Sequence, residues 1–181
     1  LTSLSLADNS KVLTSACGFP ATLSPILHLG LTPIFVDYDV HSHNADTKQV
    51  IEKMFGCKAV ILAHTMGSPL DINRIMEFAN RYGVKVIEDC CEAVGSRLNG
   101  KHVGTFGTLG TFSFYPAHQI TALGGGGMII TDNKELANIC RSLRDWGKHW
   151  DWDSHLGDHK TNFTSMVDGI PYYKHYTYQT I

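Results

Sequence analysis

The sequence predicts an α/β domain with a doubly wound, mostly parallel central sheet. Three observations carry this. Short apolar segments of strand length alternate with segments of helical period along residues 11–145. At least one strand segment, Ala59–His64, is apolar almost throughout, as expected of a strand covered on both faces. The helical segments carry start and stop residues in the right places, such as Pro20 ahead of Gly30 and Asp71 ahead of Gly83.

Taken in order, Lys11–Ala16 reads as a strand and Pro20–Leu29 as a helix closed by Gly30. Pro33–Asp37 is an apolar strand ending in an acid, and Asp46–Met54 a helix. After Ala59–His64 comes Asp71–Tyr82, the clearest helix, with Ile72, Ile75, Met76 and Ala79 on one face. Val84–Glu88, Thr108–Tyr115 and Met128–Thr131 are strands, and Lys134–Asp145 is a helix. Beyond about Trp150 the periodicity fades into a loop, followed by the tyrosine-rich tail Tyr172–Ile181. The domain boundaries are accordingly 1–148 for the α/β core and 149–181 for loop and tail.

Composition narrows the function. Apolar residues make up 43% and charged residues 18% of 181 residues, with a net charge of −2. That balance gives no electrostatic reason for binding nucleic acid or an anionic membrane. No apolar run reaches membrane-spanning length, and the start Leu1-Thr2-Ser3-Leu4 lacks the basic flank of a signal peptide. Five cysteines, an odd number with no zinc-type spacing, read as reduced thiols of a cytoplasmic protein. The chain lacks a starting Met and reads as a segment of a longer one.

In doubly wound sheets, ligands gather beyond the strand C-termini. Asp37, His64, Asp89 and the turn from Ser113 to His118 fall there. Val86-Ile87-Glu88-Asp89 runs a strand into two acids, and a carboxylate so placed can hold a pyridinium nitrogen protonated. It can equally be an acid near a helix start. Ser113 can bind a phosphate through its hydroxyl, and His118 offers an imidazole, the side chain most often used as a general base. Phe19, at a strand-to-helix junction, can stack on a planar ligand or pack in the core. Gly124-Gly125-Gly126-Gly127 permits close backbone approach but matches neither a Rossmann nor a Walker loop. Each signal alone favours an ordinary structural role.

Their joint order resembles the DegT/StrS family of sugar aminotransferases and dehydratases, and within it the CDP-4-keto-6-deoxyglucose 3-dehydrase group of lipopolysaccharide and O-antigen biosynthesis. The resemblance rests on Cys17-Gly18-Phe19-Pro20-Ala21-Thr22, Ala63-His64-Thr65-Met66-Gly67, Glu88-Asp89-Cys90-Cys91-Glu92-Ala93, Ser113-Phe114-Tyr115-Pro116-Ala117-His118 and Arg144-Asp145-Trp146-Gly147. It implies a three-layer αβα large domain of the pyridoxal-phosphate transferase type. It implies Asp89 at the pyridinium nitrogen, Ser113 at the phosphate, Phe19 stacked on the ring and Glu92 beside the cofactor. His118 then stands where the Schiff-base lysine of the aminotransferases stands. Imidazole cannot hold the cofactor covalently, so the resemblance implies pyridoxamine phosphate as well as pyridoxal phosphate as cofactor, and dehydration of a nucleotide-linked 4-keto-6-deoxy sugar. The alternatives are transamination by the same fold, or a remnant without catalysis. A homodimer and a reductase partner are further implications.

Two departures are visible in the residues. Cys91 matches one of four cysteines that hold a [2Fe–2S] cluster in the dehydrase group, but no cysteine follows Cys140, so a cluster with four ligands is doubtful and no metal site is expected. The family's Gly-Glu-Gly-Gly is here a run of four glycines, and its acid is lost.

Overall fold

A computed structural model describes residues 1–147, 165–167 and 170–172. They divide between two compact units, Leu1–Thr131 and Asp132–Ile181. The first holds a six-stranded sheet. Its strands are β1 (Lys11–Ser15), β2 (Thr32–Val36), β3 (Ala59–Ala63), β4 (Lys85–Asp89), β7 (Leu109–Ser113) and β8 (Gly127–Ile130), in the order β2-β1-β3-β4-β7-β8. All neighbours are parallel except β8, which runs antiparallel to β7. The strand pair β5 (Arg97–Leu98) and β6 (Lys101–His102) stands apart from this sheet.

The helices follow from that order. Helix α1 (Pro20–His28) joins β1 to β2, whereas α2 (Thr47–Met54) carries the chain back past β1 to β3, and α3 (Ile72–Tyr82) continues the same way to β4. Right-handed crossovers put the two directions of travel on opposite faces. Helices α2 and α3 therefore share a face, and they do pack together. Their core comprises Val50 and Met54, Ile72, Ile75 and Ala79, and Leu13, Val60, Leu62 and Val86 from the strands. Val12, Ile61 and Ile87, of the opposite strand parity, are buried too. Both sheet faces are thus covered, as the apolar character of β3 foretells.

Helix ends are fixed by local signals. Asp46, read from the sequence as the first helical residue, instead caps α2, its carboxylate accepting from the Lys48 and Gln49 amides. Gly83 ends α3 in the left-handed conformation at φ 67°, as the predicted stop requires. Met76 of the predicted apolar face is partly buried against the same core. Most element boundaries move by a residue or two: β4, for example, is Lys85–Asp89, so Asp89 is the last paired residue, opposite Ala63 and Thr111. The reason is that both flanking strands extend far enough to pair it.

The hairpin β5–β6 has no counterpart in the sequence reading. Its signal is nonetheless present, because Asn99 and Gly100 take φ 52° and 81° in the two-residue loop. Two-residue strands are too short to show period-2 alternation.

In the second unit, α4 (Lys134–Arg144) is capped by Asn133, whose side chain accepts from the Leu136 amide. Glu135 sits in its first turn and Arg141 and Arg144 in its last, each favourable to the helix dipole. A two-stranded antiparallel ladder follows, β9 (Ser165–Val167) and β10 (Ile170–Tyr172). The predicted loop beyond Trp150 and all of the tail after Tyr172 lie outside the described residues. Among the described residues, no helix is long and apolar enough to cross a membrane.

Two glycines fix how closely the 104–107 loop approaches the sheet. A Cβ on Gly110 would run into the Gly104 carbonyl oxygen and lie 2.7 Å from the Gly104 Cα. A Cβ on Gly107 would lie 2.7 Å from the Val86 carbonyl oxygen. Gly110→Ala should therefore destabilise the fold by about 3 kcal/mol, the upper end for overpacking, since backbone rather than a flexible side chain must yield. Chemical denaturation of G110A against wild type measures it, and an unchanged midpoint would contradict the packing.

Candidate active site

The strand C-termini of β1, β3, β4 and β7 place the candidate residues. Beneath them lies a buried polar centre around Glu88, the penultimate residue of β4, which is 1% exposed. One carboxylate oxygen accepts from His64 Nε2 at 3.0 Å and from the Gly104 amide at 2.8 Å. The other accepts from the Phe106 amide at 2.8 Å and the Gly107 amide at 2.6 Å. His64 Nδ1 accepts from the Leu70 amide at 3.0 Å, which requires the proton on Nε2. The pair is therefore a neutral imidazole donating to an ionised carboxylate. Burial pushes the Glu88 carboxyl up, but the hydrogen bonds from His64, Gly107 and Gly104 outweigh it and hold the pKa below its ordinary value.

Asp89 points the other way along the strand and is partly exposed. Its Oδ2 accepts from the Thr22 hydroxyl at 2.9 Å, and its Oδ1 accepts from the Cys91 amide at 3.1 Å. Thr22 stands in the first turn of α1, where its amide donates to the Phe19 carbonyl. Phe19 precedes the helix and is 77% exposed, so its ring is not core packing.

Ser113 ends β7, and its Oγ accepts from the Tyr115 amide at 3.2 Å. That amide occupies a lone pair and leaves the hydroxyl proton free to point outward. The turn Tyr115–His118 is closed by the His118 amide donating to the Tyr115 carbonyl at 2.9 Å. The turn is tied to the end of β4, since Gln119 Nε2 donates to the Glu92 carbonyl at 2.8 Å. The Glu92 carboxylate accepts from the Met66 amide at 3.1 Å, which the left-handed Met66 (φ 53°) presents to it. Three turns, 65–67, 91–96 and 115–119, are thereby linked, with the Ser96 hydroxyl bonded to the Gly67 carbonyl at 2.8 Å.

The four glycines divide into two kinds. A Cβ on Gly126 would lie 2.6 Å from the Ala122 Cβ, and one on Gly127 would lie 2.9 Å from the Phe112 carbonyl oxygen. Gly124 and Gly125 face open space. The Phe114 amide and carbonyl bond to Gly126 and Ala122, which closes the loop at its base.

Among the described residues, the one cluster of ligand-type groups is His64, Glu88 and Cys90, all buried. It does not suit a metal, because both His64 nitrogens and both Glu88 oxygens are already hydrogen-bonded. Cys91 stands outside that cluster. Its thiol is pushed up to about 12 by burial and by the neighbouring Asp89 carboxylate.

Sequence reasoning did not single out Thr22, Glu88, His64 or Gln119 for these bonds. Glu88 carried a signal, an acid placed directly after the apolar pair Val86–Ile87 in a strand of a sheet covered on both faces. Thr22 and Gln119 carried none, because their partners lie far along the chain.

This sheet, with an acid, a hydroxyl and a histidine turn at its strand ends, is the fold of the pyridoxal-phosphate-dependent aminotransferases and dehydratases. An aminotransferase from Psychrobacter cryohalolentis superposes with a TM-score of 0.83 at 27% identity, over 99% of this chain and 43% of that one. The chain belongs to the DegT/DnrJ/EryC1/StrS aminotransferase family, whose model matches residues 1–167. It is 44% identical over 147 residues to the lipopolysaccharide biosynthesis protein RfbH of Salmonella typhimurium, covering 79% of this chain and 33% of that protein. It is 40% identical over 180 residues to the dTDP-4-dehydro-2,6-dideoxy-D-glucose 3-dehydratase of Saccharopolyspora spinosa, covering 89% and 39%. The E. coli GDP-4-keto-6-deoxy-D-mannose-3-dehydratase, solved with hydrated PLP, superposes with a TM-score of 0.75 at 30% identity, over 84% of this chain and 38% of that one. The chain thus spans between a third and two fifths of the length of the curated relatives named here.

Two outcomes follow from the buried centre and the thiol. Because folding lowers the Glu88 pKa, its stabilisation is complete above the ordinary carboxylate pKa and is lost as pH falls through the folded value. Glu88→Gln should cost about 3 kcal/mol near neutral pH and flatten the acid limb of a pH–stability curve, measured by denaturant titration. A variant as acid-sensitive as wild type would assign the limb to other groups. Iodoacetamide near neutral pH should label exposed Cys17 long before Cys91, as peptide mass mapping would show.

Proposed function

We propose that this chain is the cofactor-binding core of a pyridoxal- or pyridoxamine-phosphate-dependent nucleotide-sugar 3-dehydratase. The reading is carried by His118, in the turn after the C-terminus of β7, which the sequence resemblance sets at the position of the aminotransferases' lysine. The residues at the strand ends fit the cofactor. Asp89 keeps lone pairs free on both oxygens for a ring nitrogen, Ser113 has a hydroxyl proton to give a phosphate, and Phe19 offers an exposed ring face. When bound, the cofactor supplies a conjugated ring that takes up negative charge.

The chain's own residues then divide the work. Asp89 holds the ring nitrogen and its proton. Ser113 orients the phosphate. Phe19 covers one face and excludes water from it. His118, free of any covalent role, takes the proton whose removal lets the C3 hydroxyl of a 4-keto-6-deoxy sugar leave. Glu92 braces the turn that bears Met66, and its backbone holds Gln119 beside His118. A soluble homodimer in the cytoplasm, serving surface-polysaccharide synthesis with a separate reductase, fits this chemistry. Because Cys91 matches one of the four cysteines that hold the dehydrase group's cluster and no cysteine follows Cys140, the proposal includes no iron–sulfur cluster. Transamination by the same pocket is the second reading, supported by a UDP-N-acetyl-3-dehydro-alpha-D-glucosamine 3-aminotransferase of Acidithiobacillus ferrooxidans at 38% identity.

In the full-length protein, His118→Asn should leave cofactor binding intact and lower dehydration of a nucleotide 4-keto-6-deoxy sugar about a hundredfold to ten-thousandfold. Coupled product analysis by mass spectrometry measures this. Borohydride should trap no lysine adduct in the wild type. An aminosugar product or a trapped lysine would favour transamination.

A further inference from the structure

We infer that Thr22 is a positioning residue for Asp89, fixing the carboxylate that the proposed cofactor's ring nitrogen would meet. The inference rests on the cofactor reading above and adds to it a residue that touches no reacting atom.

The geometry is specific. Thr22 is 9% exposed and its hydroxyl donates to Asp89 Oδ2 at 2.9 Å, joining residues 67 apart in sequence. The Cys91 amide donates to the other oxygen, Oδ1, at 3.1 Å. A carboxylate with one donor on each oxygen cannot turn about its Cβ–Cγ bond without breaking one of them. Its plane is therefore set, and so are the directions of its remaining lone pairs. The Cys91 amide belongs to the turn that directly follows the Asp89 strand. Of the two carboxylate bonds, the Thr22 bond is the one that comes from an element distant in sequence, so it ties the orientation of the acid to α1.

That other element also bears Phe19. The Thr22 amide donates to the Phe19 carbonyl in the first turn of α1, with Pro20 between them fixing the backbone. One turn thus sets both the aromatic face and the orientation of the acid. A planar heterocycle stacked on Phe19 would meet the Asp89 oxygens at an angle decided by Thr22. Threonine is suited to this, since its β-branching restricts χ1 and leaves the hydroxyl few directions to take.

The test uses the full-length protein with pyridoxal phosphate. Thr22→Val keeps the shape and removes the donor, whereas Thr22→Ser keeps the donor and loses the methyl. T22V should weaken pyridoxal phosphate binding about tenfold, the scale of one hydrogen bond to a charged group. It should also shift the NMR signal of the bound ring nitrogen toward the unprotonated form. T22S should restore both. If T22V fails to fold, T22A against T22S makes the same comparison. Wild-type affinity and nitrogen signal in T22V or T22A, with Asp89→Asn altering both, would overturn the role of Thr22 alone. Failure of the wild type to bind pyridoxal phosphate would overturn the cofactor reading and this inference together.

Discussion

The buried Glu88 carboxylate is the constraint on which the upper half of this domain depends. It is an ion in a strand covered on both faces, and an ion there must be fully hydrogen-bonded or it will not stay ionised. Four donors meet it, from His64 and from the amides of Gly104, Phe106 and Gly107. Three of them belong to a loop with no regular structure of its own. The charge therefore folds the loop onto the sheet, and glycines at 107 and 110 let the backbone come close enough. The same charge sets the tautomer of His64, whose far nitrogen then fixes the chain at Leu70. One carboxylate organises the ends of three consecutive strands.

That arrangement explains how adjacent acids serve different ends. Side chains alternate across a strand, so Glu88 and Asp89 cannot face the same side. Glu88 is spent on structure. Asp89 accepts from the Thr22 hydroxyl on one oxygen and the Cys91 amide on the other, lies beside the Cys91 thiol and remains partly exposed, with acceptor capacity left for a ligand. The rigid centre underneath is what lets the exposed acid be placed with accuracy, since β4 cannot shift without unpairing the buried ion.

The repeating parts of the fold were legible in the sequence. Periodicity marked α3 down to Ile72, Ile75 and Ala79, Pro20 marked the start of α1, and Gly83 marked a helix end. These are local signals, written within a few residues. The strand direction of β8 was not legible, because an antiparallel strand at the end of a sheet has the same apolar pattern as a parallel one. Of the site, the residue types at the strand ends could be named, but not what holds them. The bonds from Thr22 to Asp89 and from Gln119 to Glu92 join segments far apart in the chain, and a single sequence carries no record of such pairs. The family resemblance supplied their order; the structure supplies their contacts.

The loop from Phe114 to Gly126 has a further consequence. Phe114 uses its amide and its carbonyl to bind Gly126 and Ala122, so the backbone makes two separate closures at one residue. The histidine turn lies inside the first closure, while Gly124 and Gly125 lie in open space between the two. Length can therefore vary at those two glycines without passing a register change back to the histidine. That segment is a natural point for inserting a reporter sequence, because its conformation and that of the histidine turn are uncoupled by the neck between them.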